Sequence, residues 1–228
     1  SMTDQVVFAG PGVFDNGMTV SLSLQLDGNI MDDRSVTIAT PDMGTLVFSG
    51  HGGSSAMSAV DDVTPSAYEE SWGVIGSTAE TTAGRDSMEN AIGGGTTDNS
   101  FFYTAPEMVE GLGVKASYTP SGTGRPDGTV SWNLEYTGID GLTLGYAQDD
   151  NGLSGTSQIE YETAYVKYAF GSFTIGMQDG SQDQQGATTS DDEYSAVGIS
   201  YQVSDDLSVS YNSSERDFGD GDADQEAE

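Results

Sequence analysis

A single histidine is the one side chain of this sequence that ordinarily changes its charge near neutral pH. His51 lies in the stretch SGHGG (49–53), and a glycine-rich loop of this kind can supply backbone N–H groups to an oxyanion hole. An esterase of that type also needs a serine in a G-x-S-x-G motif, which the sequence lacks. The stretch GGGTT (93–97) lacks the lysine of a phosphate-binding loop. We therefore predict no catalytic residue and expect that the protein is not an enzyme.

Carboxylates are the other groups that could do chemistry. The chain has 37 acidic residues, only 6 lysines and arginines and no cysteine, which gives a net charge of −31 and excludes disulfides and thiolate metal sites. Because like charges repel, this balance argues against electrostatic binding of nucleic acids or anionic lipid headgroups. In DGDADQEAE (220–228) carboxylates alternate as in a calcium-binding loop, but Gln225 stands where such a loop has glycine. We name no metal site and predict no cofactor; calcium on the acidic loops stays open beside the simpler reading of a solvated surface.

The elements that would position these residues are β-strands. In GLTLGYA (141–147) large apolar residues alternate with small or polar ones. Because side chains point alternately to the two faces of a strand, this pattern predicts a strand with one apolar face. The pattern recurs along the chain and predicts about a dozen strands and no amphipathic helix of ordinary length. The predicted strands are 4–9, 20–26, 35–39, 44–50, 99–104, 112–119, 130–137, 141–147, 160–169, 173–178, 197–203 and 207–211.

Short and long connections alternate between the predicted strands. The short turns lie at 42–44, 138–141, 170–172 and 204–206, and the longer polar links lie at 27–32, 120–128, 149–158 and 179–192. An up-and-down meander places alternate connections on opposite rims, and outer-membrane barrels have short turns on one rim and long loops on the other. The longest apolar run is too short for a transmembrane helix. The pattern therefore favours an all-β, antiparallel up-and-down transmembrane β-barrel over a soluble β-sandwich.

One connection, residues 51–98, is far longer than the others. It carries eight acidic residues and a single basic one, Arg85, and it has no strong strand pattern. A loop of this length within a compact domain is usually functional or disordered. Its apolar residues, among them Tyr68 and Trp72, would be exposed to water if the loop projected outward. We therefore expect the loop to pack inside the barrel.

Three stretches of the chain follow one another in a specific order. They are DDRSVTIATPDMGTLVFSG (32–50), the long acidic loop, and NSFFYTAPEMVEGLGVKASYTP (99–120). This order resembles that of the general bacterial porins of the outer membrane, particularly the alphaproteobacterial branch, and the later hairpins are similar to that family too. The positions that match the family pattern are Arg34, Gly44, Gly50, Asn99, Ser100, Tyr103, Pro106, Ala116 and Tyr118.

The resemblance implies a single porin-type domain over 1–228 and a long in-folded third loop at 51–98. It also implies a trimeric barrel of 16 strands, of which this chain would hold about 12, as an internal fragment without the first and last strands. Residues 215–228 would be a truncated acidic external loop. By this mapping Leu142, Leu144 and Tyr146 face lipid or a neighbouring subunit, while Thr143 and Ala147 face the pore.

The resemblance also suggests which charges line the pore. In porins, acids on the in-folded loop face basic residues on the wall, and the field between them screens solutes by charge and size. The candidate wall cations are Arg34, Lys115 and Lys167. The candidate constriction acids are Asp61, Asp62, Glu69, Glu70, Glu80, Asp86 and Glu89. Basic residues common in the family are missing beside His51 and at Phe101 and Phe102, so we expect a less cationic wall than in familiar members.

These expectations define a function and an alternative. The first is a passive diffusion channel for small hydrophilic solutes and ions across a bacterial outer membrane, a homotrimer in the lipid bilayer with a mild cation preference. The alternative is a secreted or surface all-β adhesin or fibre-type domain that binds a partner through acidic loops. Solubility without detergent would favour the alternative, because a soluble domain cannot present an apolar face to lipid.

Overall fold

A computed structural model describes most of the chain. The described residues are 5–27, 30–61, 63–67, 98–122, 126–185, 191–218 and 225–227. Within them the helical elements are two 3₁₀ turns, Ser58–Val60 and Gly155–Ser157. No helix in these ranges is both long and apolar enough to cross a membrane.

In the part of the chain that the structure describes, thirteen strands make up a single sheet. The strands are β1 (Gln5–Val13), β2 (Thr19–Asp27), β3 (Ile30–Thr40), β4 (Gly44–His51), β5 (Ser100–Thr104), β6 (Leu112–Thr119), β7 (Thr129–Ile139), β8 (Leu142–Asp150), β9 (Ile159–Phe170), β10 (Phe173–Gln184), β11 (Asp192–Ser204), β12 (Leu207–Phe218) and β13 (Gln225–Ala227). Their order in the sheet is their order in the chain, and each pairs antiparallel with the next. The all-β, up-and-down prediction is confirmed.

The connections separate into two rims. The rim with mostly short connections, here the turn rim, holds 14–18, 41–43, 105–111, 140–141, 171–172 and 205–206. The long connection 52–99 and the remaining links begin and end at the opposite rim, here the loop rim. The turn between β7 and β8 requires glycine, because Gly141 has φ +73° and a Cβ there would lie 2.3 Å from the Ala169 carbonyl oxygen.

Two connections on the loop rim differ from the prediction. The link predicted at 27–32 shortens to 28–29, because β2 continues to Asp27 and β3 begins at Ile30. The loop predicted for 215–228 starts later, because β12 continues to Phe218 and Gln225–Ala227 returns as β13. Residues 215–218 are largely polar and gave no apolar alternation, but backbone pairing with β11 does not need apolar side chains.

The two faces of the sheet differ sharply in chemistry. The inner face is defined by small and polar side chains that are at most 8% exposed: Ser117, Ser131, Asn133, Thr163 and Gln178. The outer face carries large apolar side chains that stay exposed, including Leu144 at 41% and Val197 at 56%. A water-soluble domain buries its apolar face, so this inverted arrangement is typical of a wall between lipid and a polar interior.

Aromatic rings flank the apolar band of the outer face. Towards the turn rim, Tyr168, Phe170, Phe173 and Tyr201 form a chain of ring contacts with centroid separations of 5.7, 5.6 and 4.4 Å. Towards the loop rim, the ring centroids of Trp132 and Tyr146 lie 5.4 Å apart. Aromatic girdles of this kind sit at the two interfaces of a bilayer.

Candidate functional site: a chain segment across the inner face

The first part of the long connection lies across the inner face of the sheet. After β4 ends at His51, the chain runs along the wall, and residues 52–61 and 63–67 of this run, here the segment, are described. Its hydrogen bonds to the inner face begin on β6 and end on β12. The small side chains of the inner face leave the room that a polypeptide needs.

The segment is first fixed at Ala56. Its backbone N–H donates to the hydroxyls of Ser131 at 2.9 Å and Ser117 at 3.1 Å. Its carbonyl oxygen accepts a hydrogen bond of 2.7 Å from the side-chain amide of Asn133. All four residues are buried, so β6 and β7 satisfy both backbone groups of Ala56 away from bulk water.

An apolar cluster follows the Ala56 contacts. Met57 and Val60 of the segment are 0% and 1% exposed and pack with Ala147 of β8 and Tyr165 of β9. Ala147 and Leu144 lie on opposite faces, as the alternation in 141–147 predicts. Full burial of Met57 contributes about 1.5–3 kcal/mol to holding the segment on the wall.

Two further strands hold the second half of the segment. The Gln178 side chain of β10 donates to the Val60 carbonyl at 3.0 Å. On β12, the Ser210 hydroxyl accepts a hydrogen bond of 2.9 Å from the Ala67 backbone N–H, and Asn212 donates to the Pro65 carbonyl at 3.5 Å. The segment therefore contacts strands from β6 to β12, and it crosses the inner face rather than leaving it.

Pro65 lies against two glycines that pair across β10 and β11. Gly176 and Gly198 are directly opposite each other. A Cβ at Gly176 would lie 2.7 Å from Cδ of Pro65, and one at Gly198 would lie 2.6 Å from its carbonyl oxygen. Any side chain at either position would collide with the segment.

The predicted wall cations divide between the two faces. Lys115 is directly opposite Asn133, and Lys167 is directly opposite Gly176, so both lie on the inner face. Arg34 does not. It is directly opposite Leu24 and its side chain lies over Gly50, on the face that carries the apolar band. The prediction for Arg34 is wrong because the motif match ignored strand parity, which gives Arg34 the face of Val36.

The predicted constriction acids fall mostly outside the described residues. Asp61 lies in the segment and is partly exposed. The others, Asp62, Glu69, Glu70, Glu80, Asp86 and Glu89, are not among the described residues.

Sequence reasoning missed the amide side chains that hold the segment. Alternation marks Asn133 and Gln178 only as polar members of strands, and Asn212 lies beyond the predicted strand 207–211. Their partners are backbone groups far away in sequence, which no local pattern indicates. It also missed an ion pair of 2.7 Å between Arg216 and Asp192 on neighbouring strands, whose side chains are 11% and 5% exposed. Because the two charges of this buried pair neutralise each other, Arg216 adds no net positive charge to the inner face.

Taken together, an apolar outer face, aromatic girdles and a segment on a polar inner face define an outer-membrane β-barrel. The chain belongs to the Gram-negative porin family, whose model matches residues 1–227. No curated protein sequence matches the chain significantly.

Solved structures of porins share this fold. The outer-membrane expressed OmpT of Vibrio cholerae superposes with a TM-score of 0.64 at 14% identity, over 97% of this chain and 70% of that one. The anion-selective porin of Comamonas acidovorans gives 0.63 at 12% identity, over 98% and 71% of the two chains. Salmonella typhi OmpF, in complex with daunomycin, gives 0.54 at 14%, over 92% and 71%. At these identities the likeness shows the fold alone.

The family membership confirms the class that the sequence indicated. The protein is a porin of the bacterial outer membrane, and its family supports a passive outer-membrane channel. The adhesin alternative has no support from the family or from the fold.

Proposed function

We propose that this porin lets small hydrophilic solutes diffuse through a lumen narrowed by the long connection 51–98. The observation that carries the proposal is the crossing of the inner face by the segment, with Met57 and Val60 fully buried against the wall. A segment held in this way occupies part of the lumen cross-section. The proposed solutes are small because they must pass through the opening that remains between the segment and the wall. We also propose a homotrimer, the assembly that the family resemblance implies.

The same site favours cations. On the inner face, carboxylates at Glu135, Asp149 and Asp192 are balanced by Lys115, Lys167 and Arg216. Residues 51–98 add eight acids against Arg85, and we propose that this excess makes the potential of the passage negative. A negative potential at a narrow passage concentrates cations and depletes anions.

We expect a potassium-over-chloride preference that weakens as salt rises, because screening confines the field to about 8 Å at physiological ionic strength. The measurement is the reversal potential of single channels in a planar bilayer across a KCl gradient, at low and at high mean concentration. Lys115→Gln with Lys167→Gln should strengthen the preference, since both ammonium groups lie on the inner face.

Two results would contradict the proposal at different levels. Absence of any ion conductance from correctly folded protein would refute the pore. Conductance with chloride preference at low salt would leave the pore standing and refute the assigned selectivity. The likeness to the Comamonas acidovorans porin does not decide the sign, because a shared fold does not fix the charges of the lumen.

A further inference from the structure

Three strands bring an imidazole and three carboxylates together on the loop rim. Nδ1 of His51, at the end of β4, lies 3.5 Å from a carboxylate oxygen of Asp32 and 3.5 Å from one of Asp33, both near the start of β3. These three potential ligand atoms all lie within 4.8 Å of one another. Nε2 of the same ring lies 3.9 Å from a carboxylate oxygen of Asp98, just before β5.

The spacing matches the coordination shell of a small divalent metal ion. Zinc binds imidazole nitrogen and carboxylate oxygen at about 2.0–2.2 Å in tetrahedral geometry, so two ligand atoms on one ion are roughly 3.4 Å apart. Both contacts of the His51 Nδ1 atom, at 3.5 Å, have this separation. Both are also longer than an ordinary N–H···O hydrogen bond. An ion bound by Nδ1 and one carboxylate oxygen therefore needs little movement of those side chains, and the second carboxylate oxygen lies within 4.8 Å of the first.

The imidazole distinguishes this cluster from the rest of an acidic surface. Pairs of neighbouring carboxylates are common in a chain with 37 acidic residues, and they attract cations only diffusely. His51 is the only histidine, and nitrogen with oxygen is a donor set that transition metals prefer over calcium or magnesium. Asp98 faces the other ring nitrogen, where a carboxylate orients a metal-bound imidazole and raises its basicity.

The local backbone leaves room for this arrangement. Gly52 has φ +65°, and a Cβ there would lie 1.8 Å from the nearer carboxylate oxygen of Asp33. Glycine therefore allows Asp33 to lie over the first residue after β4. The side chains of Asp32, Asp33 and His51 are 34%, 52% and 47% exposed, which leaves the cluster open to ions from solution.

We propose that Asp32, Asp33 and His51 form a binding site for one divalent transition-metal ion, with Zn²⁺ as the best match, and that Asp98 orients the imidazole. The site lies where the connection of residues 52–99 leaves β4 and re-enters the sheet at β5. A bound ion joins β3 to His51, which holds the start of the connection at the end of β4. Because the same imidazole faces Asp98, the ion also helps to hold the end of the connection just before β5. The proposal goes beyond the channel function and does not depend on it.

The test is isothermal titration of Zn²⁺ into metal-free protein folded in detergent micelles, in a buffer that does not bind zinc. We expect one tight site per chain. His51→Gln should weaken it at least about tenfold, since even the loss of an outer-shell partner weakens metal binding 10–100-fold. Asp32→Asn with Asp33→Asn should do the same, and Asp98→Asn should have a smaller effect.

A matched control separates a site from diffuse attraction. Asp205→Asn with Asp206→Asn removes the same charge from adjacent aspartates in the turn between β11 and β12, on the opposite rim. This variant should bind Zn²⁺ as the parent does. Equal affinity in the His51→Gln protein, or equal weakening by the two double variants, would overturn the site. Single-channel conductance should persist in all variants, so failure of the zinc site remains distinguishable from failure of the pore.

Discussion

Met57→Asp is expected to release the segment from the inner wall and to increase single-channel conductance. Met57 is 0% exposed among Val60, Ala147 and Tyr165, so the new carboxylate would be buried without a cationic partner. An uncompensated buried charge is unfavourable by about 3–5 kcal/mol. Each hydrogen bond that holds the segment contributes only about 0.5–1.5 kcal/mol net. We therefore expect a large detached population, seen as higher conductance and as new thermolysin cleavage within 54–67.

Ala59→Asp is the matched control for this prediction. Ala59 belongs to the same 3₁₀ turn, Ser58–Val60, but it is exposed, so the variant adds the same charge without burying it. It should keep the parent conductance and protease resistance. If Met57→Asp and Ala59→Asp behave alike, the segment is not held by the contacts described here, and the proposed narrowing of the lumen loses its structural basis.

Ile175→Arg is expected to lower the free energy of unfolding in lipid by an amount between the about 2–4 kcal/mol of an arginine at the bilayer midplane and the about 0–1 kcal/mol of one at the interface, because Ile175 lies two residues from Phe173 of the aromatic girdle. Ile175 lies between Phe173 and Met177 on the outer face and is 41% exposed. On a face exposed to water, a substitution at such a position would change stability by no more than about 0.5 kcal/mol. Reversible urea unfolding in lipid vesicles, followed by tryptophan fluorescence, gives the difference directly.

Thr174→Arg provides the comparison at the adjacent residue. Thr174 is on the opposite face of β10, directly across from Ser200, and a guanidinium there meets the polar inner side of the wall. Its effect should be much smaller than that of Ile175→Arg. A reversed order of the two effects would mean that the faces have been assigned the wrong way round.

Local alternation was enough to place most residues on the correct face. Leu144 and Ala147 differ in exposure as the pattern in 141–147 predicts, and the alternation in 130–136 likewise separates the polar Asn133 from its apolar neighbours. The reason is that a strand has a side-chain period of two, which is written into the sequence itself. Arg34 follows the same rule. Its parity with Val36 predicts the outer face, whereas the match to the family motif predicted the pore wall.

The ends of strands were harder to predict from the sequence. β12 extends to Phe218 through residues that lack apolar alternation, because its backbone hydrogen bonds to β11 are independent of side-chain type. Periodicity detects only the part of a strand that faces an apolar environment. Beyond that part, pairing with the neighbouring strand decides where the strand ends.

The sequence by itself determined the all-β meander, the chemistry of the two faces, the excess of negative charge and the presence of one long connection. The tertiary structure alone decided where the segment, the described first part of that connection, lies and what holds it. Pro65 fits against Gly176 and Gly198 only because the register of β10 and β11 places the two glycines side by side. In the same way, His51 meets Asp32 and Asp33 only because β3 and β4 pair. Contacts between residues distant in the chain depend on strand register, which arises from the cooperative pairing of the whole sheet, so no local pattern encodes them.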